Sequence, residues 1–471
     1  MNKALYSIFS GIFPGDMVRS TLKGYSGMNS FAHGIHPPER KNLVADKAIE
    51  IIPPPEKVIL PLLQNVGAPC EPVVRPKQDV SFGDLVCRGG APVSASLHSP
   101  VSGRVQKISV TTLANGRHVK AIFIKTEGEQ LSGRALWEEI FGGDWPTQNI
   151  QKYDPQEIIA AIYSAGIVGQ GGAAFPTHVK LMPGKKKTLD TVLINGCECE
   201  PYLNADFRLM IEAPGPVVCG ALLIGRVTGA EEIIIGIEDN KPEAVESLKK
   251  ATFGTGIKIA VLKTKYPQGS EKQLIQAILR REVPLGGLPL DVGVVVNNVG
   301  TSASVARAVI KSKPLTHRIV SVTGAGIADP KNLLVPIGIC FDELIKFCGG
   351  LTMDAARLIA GGPMTGFAFT NLETPVTKGT GGLIALTQKD VRKAKETSCI
   401  RCGRCVDVCP MNLVPTRLAL ASRQKNLDLL EKYNIQGCFE CGCCAYICPS
   451  GIPLVQLIRA GKALSVASKK K

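Results

Sequence analysis

The feature that most constrains this chain is a cysteine box that occurs twice. Residues 399 to 410 read CIRCGRCVDVCP and residues 438 to 449 read CFECGCCAYICP, so Cys399, Cys402, Cys405 and Cys409 recur at the same spacings as Cys438, Cys441, Cys444 and Cys448. Each box has the form C-x2-C-x2-C-x3-C-P. Three closely spaced thiolates can wrap one 4Fe-4S cubane from a tight loop, and the fourth, on the helix that follows, reaches a second cubane. On that reading Cys448 closes the first site and Cys409 the second. Gly403 and Gly442 let the backbone pass close to the inorganic core. The competing chemistry is a pair of structural zinc sites, but those use two C-x2-C pairs on separate knuckles and need neither the third cysteine nor the Cys-Pro.

The arrangement is that of bacterial two-cluster ferredoxins, here at the end of a chain of 471 residues, which is long enough for several domains. The chain has 16 cysteines, and a disulfide scaffold of that density belongs to small secreted proteins, so a reducing setting is expected. Cys443 is surplus to the box and is read as packing beside a cluster. Cys70, Cys87, Cys219, Cys340 and Cys348 stand alone and read as small hydrophobes. The formal charge of +15 points to a membrane surface or an acidic protein. Few aromatics and the lack of any nucleic-acid motif argue against nucleic acid as a partner. The opening MNKALYSIFSGIFPGD is apolar but broken by Gly11, Pro14 and Gly15, and no stretch reaches the roughly 18 apolar residues of a membrane span.

Along the chain the pattern changes several times. From Phe31 to about Ile124, short β-branched runs (EPVVRP, GDLVC, GRVQKI, KAIFIKT) between prolines and glycines predict a small all-β domain. LHSPVSGRVQKI resembles the closing half of a lipoyl- or biotinyl-type barrel, yet the hairpin before it, CRGGAPVSAS, has no lysine to modify, so the barrel is read as structural. Helices and strands then alternate. Asp154, Pro155 and Glu157 open a capped helix that ends before Gly166. TVLING, EEIIIGIE, IKIAVLK and DVGVVVNNV read as strands, with helices at PEAVESLKKA and EKQLIQAIL. That alternation predicts an α/β layer with a largely parallel sheet. A mixed strand-and-helix segment follows from Arg318 to about Gly362, then a glycine-rich stretch with a strand near GGLIALT. After the cysteine region comes an amphipathic helix with a basic tip, Lys469 to Lys471, suited to anionic lipid, to an acidic partner or simply to water.

Between the capped helix and the next strand lies GIVGQGGAAFPTHVKL, residues 166 to 181. Such a density of glycines lets amides surround a phosphate, and a lysine shortly after can neutralise it. The spacing fits neither a P-loop nor the G-x-G-x-x-G fingerprint, and a plain glycine-rich turn is the alternative. However, INGCECEPYLNAD, KYPQGSEKQL and VVNNVGTSASVA each follow a predicted strand end, where open α/β sheets bind ligands.

With these motifs the chain resembles the flavin- and NADH-binding subunit of respiratory complex I. GIHPPERK, GGLPLDVGVVVNNVGT, GGPMTGFAF, CIRCGRCVDVCPMNLVPT and PLVQLIRAGKA make it still more similar to the C-subunit family of the Rnf complex, a membrane-associated ferredoxin:NAD oxidoreductase. The resemblance spans residues 31 to 465. It implies a multidomain α/β plus β fold: an N-terminal extension (1–30), a barrel-sandwich hybrid (31–130), a Rossmann-like FMN and NADH domain (131–315), a β-grasp, SLBB-like module (316–362), a connecting segment (363–395) and a two-cluster ferredoxin-like domain (396–471).

The resemblance also implies non-covalent FMN held by Gly169, Gly171, Gly172 and Lys180, with Asn195 near the ring and Asn297, Asn298 and Thr301 near the phosphate. It places NADH against Phe175, Glu198 and Glu200, and has Tyr266, Gly269 and Glu271 framing the flavin. Ala174, Cys197 and Gly300 depart from the complex I pattern, which has glycine, aspartate and glutamate there. Simpler readings stand beside these: a solvated turn for Glu198 and Glu200, extra metal ligands for Cys197 and Cys199, a strand end for Asn297 and Asn298, and a surface lysine for Lys180.

A flavin exchanges hydride with NAD(H) and single electrons with clusters, so no proton-transferring triad is required. The implied function is a peripheral subunit on the cytoplasmic side of the cell membrane, passing electrons to other Rnf subunits and a ferredoxin-type partner in a complex that moves Na+ or H+. The alternatives are a soluble cobalamin reductase of similar plan and a zinc-knuckle scaffold with no enzymatic role.

Overall fold

The structure, a computed structural model, describes residues 29–182, 188–391 and 395–468. The basic tip and all but the last two residues of the expected N-terminal extension lie outside them. The chain forms two compact units. One comprises Glu39–Val261 and Pro289–Val391; the other joins the residues before Glu39, Leu262–Leu288 and the residues after Val391.

The larger unit begins with the expected β domain. Two antiparallel sheets make it, one of four strands in the order Lys57–Pro61, His118–Thr126, Gly103–Thr112, Asp79–Val80, and one of three in the order Glu71–Pro72, Leu85–Arg88, Leu97–His98. Val58, Leu60, Val86, Val105, Ile122 and Ile124 face inward and are buried. The alternation of inward apolar and outward polar residues is what lets two such short sheets close on each other.

The α/β layer follows. Its four-stranded sheet runs Lys258–Leu262, Glu232–Glu238, Thr191–Asn195, Val294–Asn298. The last two pair in parallel, which sets Asn298 opposite Asn195. The helix Pro155–Ser164 starts as expected: the Asp154 carboxylate accepts from the amides of Gln156 at 2.8 Å and Glu157 at 3.2 Å. Helix Pro214–Thr228 is apolar on nearly all sides because it is enclosed. It crosses helix Val299–Lys311 so closely that a Cβ on Gly220 would lie 1.8 Å from the Ser302 carbonyl. This contact seats the start of the second helix, which carries Asn298 and Thr301. No single helix among the described residues is long and apolar enough to cross a membrane; Ala205–Glu212 with Pro214–Thr228 reaches that length only across a 96° bend.

A six-stranded mixed sheet completes this unit, in the order Ile49–Ile51, Lys331–Pro336, His317–Thr323, Gly382–Thr387, Ala355–Ala360, Phe367–Phe369. The expected β-grasp segment supplies three of its strands. Two more come from the connecting segment, Gly382–Thr387 where GGLIALT predicts a strand and Phe367–Phe369 where none is predicted, and the first, Ile49–Ile51, comes from the span expected to form the barrel. Buried Val320, Val322, Leu333, Val335, Phe341 and Leu344 form its core.

In the smaller unit, two short helices, Arg404–Asp407 and Cys443–Ile447, follow the cysteine loops. Helices Pro415–Arg423, Leu427–Lys432 and Leu454–Ser468 surround them, with Leu418, Leu430, Ile435 and Ile458 buried. Helix Glu271–Leu279 belongs here too, and its Gln273 donates to the Pro410 carbonyl at 3.2 Å.

Candidate functional site

The glycine loop closes on itself. The amide of Gly169 donates to Phe175 O at 2.9 Å, that of Ala174 to Gly169 O at 3.1 Å, and that of Thr177 to Ile167 O at 3.0 Å. Gln170 ties the loop to the start of helix Val299–Lys311: its amide donates to Thr301 Oγ1 at 2.9 Å and its side chain to Gly300 O at 3.0 Å. Thr301, expected near a phosphate, is fully buried and serves as this anchor. Asn298 is the N-cap of the helix, accepting from Gly300 N at 2.8 Å, while its Nδ2 donates to Asp206 at 2.6 Å. A Cβ on Gly171 would lie 3.4 Å from that of Asn298. The fold therefore brings Gly169, Gly171, Gly172, Asn298 and Thr301 together at the sheet's carboxyl edge, with Asn195 and Asn297 on the strand ends beside them. Lys180 ends the helical turn Thr177–Lys180 and is half-buried, as is Phe175.

Several groups here await a ligand. The amides of Gly171, Gly172 and Ala173, at the exposed tip, donate to nothing in the described chain. Asn297 Nδ2 and Thr177 Oγ1 are buried without a partner. Such orphans cost about 1–3 kcal/mol each unless something binds them. Gly172 holds φ at 108° and has nothing within 4 Å of the place a Cβ would occupy. Free amides at a glycine tip, beside a helix start and two orphaned polar atoms, fit a phosphate-bearing group with a hydroxylated chain, as FMN is.

The CECEP turn is held from beneath. Lys41 Nζ donates to the carbonyls of Glu198 at 2.8 Å, Glu200 at 3.0 Å and Leu203. Lys241 Nζ donates to Cys197 O at 2.7 Å and pairs with Glu238 at 2.9 Å, both side chains buried. Burial, and then the Lys241 charge, lowers the Lys41 pKa. The two glutamates expected to meet NADH are both engaged within the chain. Glu198 accepts from Asp206 N at 2.9 Å and Phe207 N at 3.0 Å, capping helix Ala205–Glu212. Glu200 accepts from Met364 N and Thr365 N, each at 3.0 Å, and its pKa is raised by burial against the pull of those bonds. Burial, followed by the charge of Glu198, pushes the Asp206 carboxyl to about 7. Cys197 is buried, with its pKa raised by desolvation, and Cys199 is half-buried. Among the described residues no three His, Cys, Asp or Glu side chains are grouped as ligands of a single ion.

In the smaller unit the two boxes repeat each other in backbone as well as in sequence. Arg401 and Glu440, each two residues after the first cysteine, take φ of 56° and 64° and donate their amides to Cys399 Sγ at 3.4 Å and Cys438 Sγ at 3.3 Å. Gly403 and Gly442 start the short helices at φ 78° and 88°, and Asn412 and Gly451 repeat the left-handed turn after the fourth cysteine at 53° and 63°. Strained non-glycine positions cost of order 1–3 kcal/mol and persist where the surroundings hold them. Here they aim amides at sulfur.

The fourth cysteines cross over. Cys409 lines a small apolar cavity with Cys438, Cys441 and Cys444, walled by Leu413, Leu418, Val455 and Ile458. Cys448 packs instead with Cys405, which Cys402 also approaches. The cavity lined by the second set suits a multi-atom core. Burial pushes the Cys438 thiol to about 11, opposed by the Glu440 amide and Lys462. A metal core replacing the protons removes that penalty. Cys443 lies fully buried against Cys441, beside the same cavity. Tyr266, Gly269 and Glu271 lie in this unit, where Tyr266 Oη donates to Cys441 O at 2.7 Å and Glu271 opens a helix.

Four family models match, in the order in which the sequence suggested the domains: an RnfC barrel-sandwich hybrid domain over residues 29–129, a Nuo51 FMN-binding domain over 162–307, an SLBB domain over 319–368 and a 4Fe-4S dicluster domain over 398–452. Fold and site thus define a flavin and iron-sulfur electron-transfer protein, with FMN and two 4Fe-4S clusters as its cofactors. The chain is 44% identical to the C subunit of the proton-translocating ferredoxin:NAD+ oxidoreductase complex of Clostridium ljungdahlii, covering 87% of this chain and 88% of that one. It is 41% identical to the C subunit of the Na+-translocating complex of Acetobacterium woodii, covering 94% and 98%, and 42% identical to the C subunit of the ion-translocating oxidoreductase complex of Rhodobacter capsulatus, covering 92% and 82%. The chain belongs to the Rnf C-subunit family.

Lys41, Lys241, Gln170 and the Met364–Thr365 turn escaped the sequence reading. GIHPPERK and GGPMTGFAF marked two of these segments by resemblance without saying what they do, and a lysine such as Lys41, bonded to carbonyls far along the chain, has no local signature.

Proposed function

We propose that this chain is the electron-input subunit of a membrane-bound ferredoxin:NAD oxidoreductase coupled to ion translocation, exchanging hydride with NAD(H) and single electrons with the redox subunits beside it. The observation that carries this reading is the presence, in one chain, of a glycine-loop site with free amides and of two cysteine boxes whose fourth cysteines, Cys409 and Cys448, each lie with the other box. FMN, when bound, supplies the exchange between a hydride donor and one-electron carriers, and the clusters supply the relay. The residues contribute placement. Gly169, Gly171 and Gly172 present amides to the phosphate, Lys180 neutralises it, and Asn195, Asn297 and Asn298 orient the rest of the flavin. Phe175, Glu198 and Glu200 form the side on which NADH arrives, on a turn fixed by Lys41 and Lys241.

The relatives are named for protons in one case and Na+ in another at nearly equal identity. Choice of ion is thus a property of the complex rather than of this subunit's shared fold. Attachment is peripheral, on the cytoplasmic side, through other subunits. The test is retrieval of the tagged chain from gently solubilised membranes. Recovery of flavin, iron and integral membrane subunits together is expected; recovery of this chain alone from the soluble fraction, with no partner, contradicts the reading.

A further inference from the structure

Two buried cations lie behind the glycine loop, and neither has been given a role. Lys378 lies within the stretch expected to be a connector. Its ammonium is enclosed, and its partners are two carbonyls at 2.6 Å each: Ser96 O, on the barrel hairpin that has no lysine of its own, and Gly166 O, where the glycine loop begins. Among the described residues no carboxylate pairs with it. Arg318, on the six-stranded sheet and also buried, donates to the carbonyl of Lys378 and to that of Gln170 at 3.4 Å.

The surroundings are tightly fitted to this arrangement. A Cβ on Gly166 would lie 2.2 Å from Ser96 O and 2.8 Å from Lys378 Nζ, and a Cβ on Gly379 would meet Gly172 O at 3.3 Å. Ala95 of the hairpin packs against Val168 and Ala174 of the loop, and Val66 N donates to Ala174 O at 3.1 Å. A buried ammonium without a counter-ion is costly. The amides of the exposed loop tip are free to receive an anion, and an anion there relieves that cost.

We infer that Lys378 is a positioning residue for the flavin: with Arg318 it braces the loop against the barrel and supplies the charge that the FMN phosphate, held on the loop's other groups, balances. The barrel, which in a carrier protein would present a modified lysine, here supports the flavin loop instead. This rests on the reading that the loop holds FMN.

The test is the FMN dissociation constant of flavin-depleted full-length chain, followed by flavin fluorescence. Lys378→Met is expected to weaken FMN about 30-fold, or about 2 kcal/mol at 1.4 kcal/mol per tenfold, with the iron content unchanged. A structural role alone is separated by pH. A neutral amine keeps two N–H groups for the two carbonyls, so raising the pH removes the charge and leaves the bonds. Burial has brought this ammonium's pKa down to about 8. If the dianion raises it by about one unit, affinity in the unaltered chain falls about sevenfold between pH 7 and pH 9.5, a range in which the phosphate no longer titrates.

The groups facing Lys378 are His98, held neutral by burial, the Cys70 and Cys87 thiols, and Arg318. The step should survive Cys70→Ala and vanish in Lys378→Met. Should the Met variant fail to fold, the pH series on the unaltered chain decides alone. A flat profile there, or unchanged affinity in a folded Lys378→Met, overturns the inference while leaving FMN on the loop. An unaltered chain that binds no FMN overturns the site reading itself.

Discussion

Replacing Lys41 by Met removes one ammonium and strands three carbonyls at once. Those of Glu198 and Glu200, at 2.8 and 3.0 Å, and that of Leu203 all belong to the turn expected to meet NADH. A hydrogen bond to a charged group contributes about 1.5–3 kcal/mol, so the three together are worth about 4–9 kcal/mol before costs. Against this stands the burial that lowers the lysine's pKa, and water can reach part of the vacated turn. A net loss of about 3 kcal/mol in the local stability of the turn is expected, roughly a hundredfold in the fraction of molecules with the turn opened.

Amide hydrogen exchange reads this directly. Residues 197–206 should lose protection by about that factor, while the helices Pro415–Arg423 and Leu454–Ser468 of the smaller unit keep theirs. With ferricyanide as acceptor, the KM for NADH should rise by a factor of ten or more while bound FMN stays near its normal level. Unchanged exchange in the turn, or a KM within about twofold of normal, would refute the claim that Lys41 organises it.

The same geometry makes three further predictions. Cys409→Ser should damage the cluster of the second box, leaving the one closed by Cys448; paramagnetic resonance of the reduced protein showing loss of the first-box centre alone would contradict the crossing. Lys180→Ala should lower FMN occupancy about tenfold at unchanged iron content, and full flavin occupancy would remove that lysine from the site. Asp206 has a folded pKa of about 7 against an unfolded value near 4, so between those pH values the native state holds the extra proton and stability falls as pH rises. Asp206→Asn should flatten that fall by roughly 2 kcal/mol or more between pH 4.5 and 7 in urea titrations, and a variant with the same slope as the unaltered chain would show that burial does not hold the proton there.

What the sequence made legible is what short-range chemistry determines. The Asp154 cap, the parallel strand ends at Asn195 and Asn298, and the duplicated boxes all declare themselves within a dozen residues. The boxes declare even more than spacing, since Arg401 and Glu440 adopt the same left-handed turn although their side chains have opposite charge. Other features depend on partners far along the chain. Phe367–Phe369 looks like part of a glycine-rich connector until Ala355–Ala360 offers it an edge, and Gly382–Thr387, legible as a strand, gives no sign that it sits between His317–Thr323 and Ala355–Ala360. Likewise, nothing near Glu200 hints that its carboxylate caps a turn at Met364 and Thr365, or near Lys378 that its ammonium reaches Ser96 and Gly166. Segment Leu262–Leu288 reads as one more step of the α/β alternation, yet Tyr266 and Gln273 bond to the cysteine region, which groups it with the clusters.

The central claim is that electrons from NADH reach the cysteine-bound clusters only by way of the flavin. The measurement that tests it is an anaerobic NADH titration of the chain reconstituted with iron and sulfide, with and without FMN, following cluster absorbance apart from flavin absorbance. Bleaching of the clusters in the FMN-loaded sample and none in the flavin-free one is predicted. Clusters that stay oxidised while the flavin is fully reduced, or that bleach equally without it, would contradict the account.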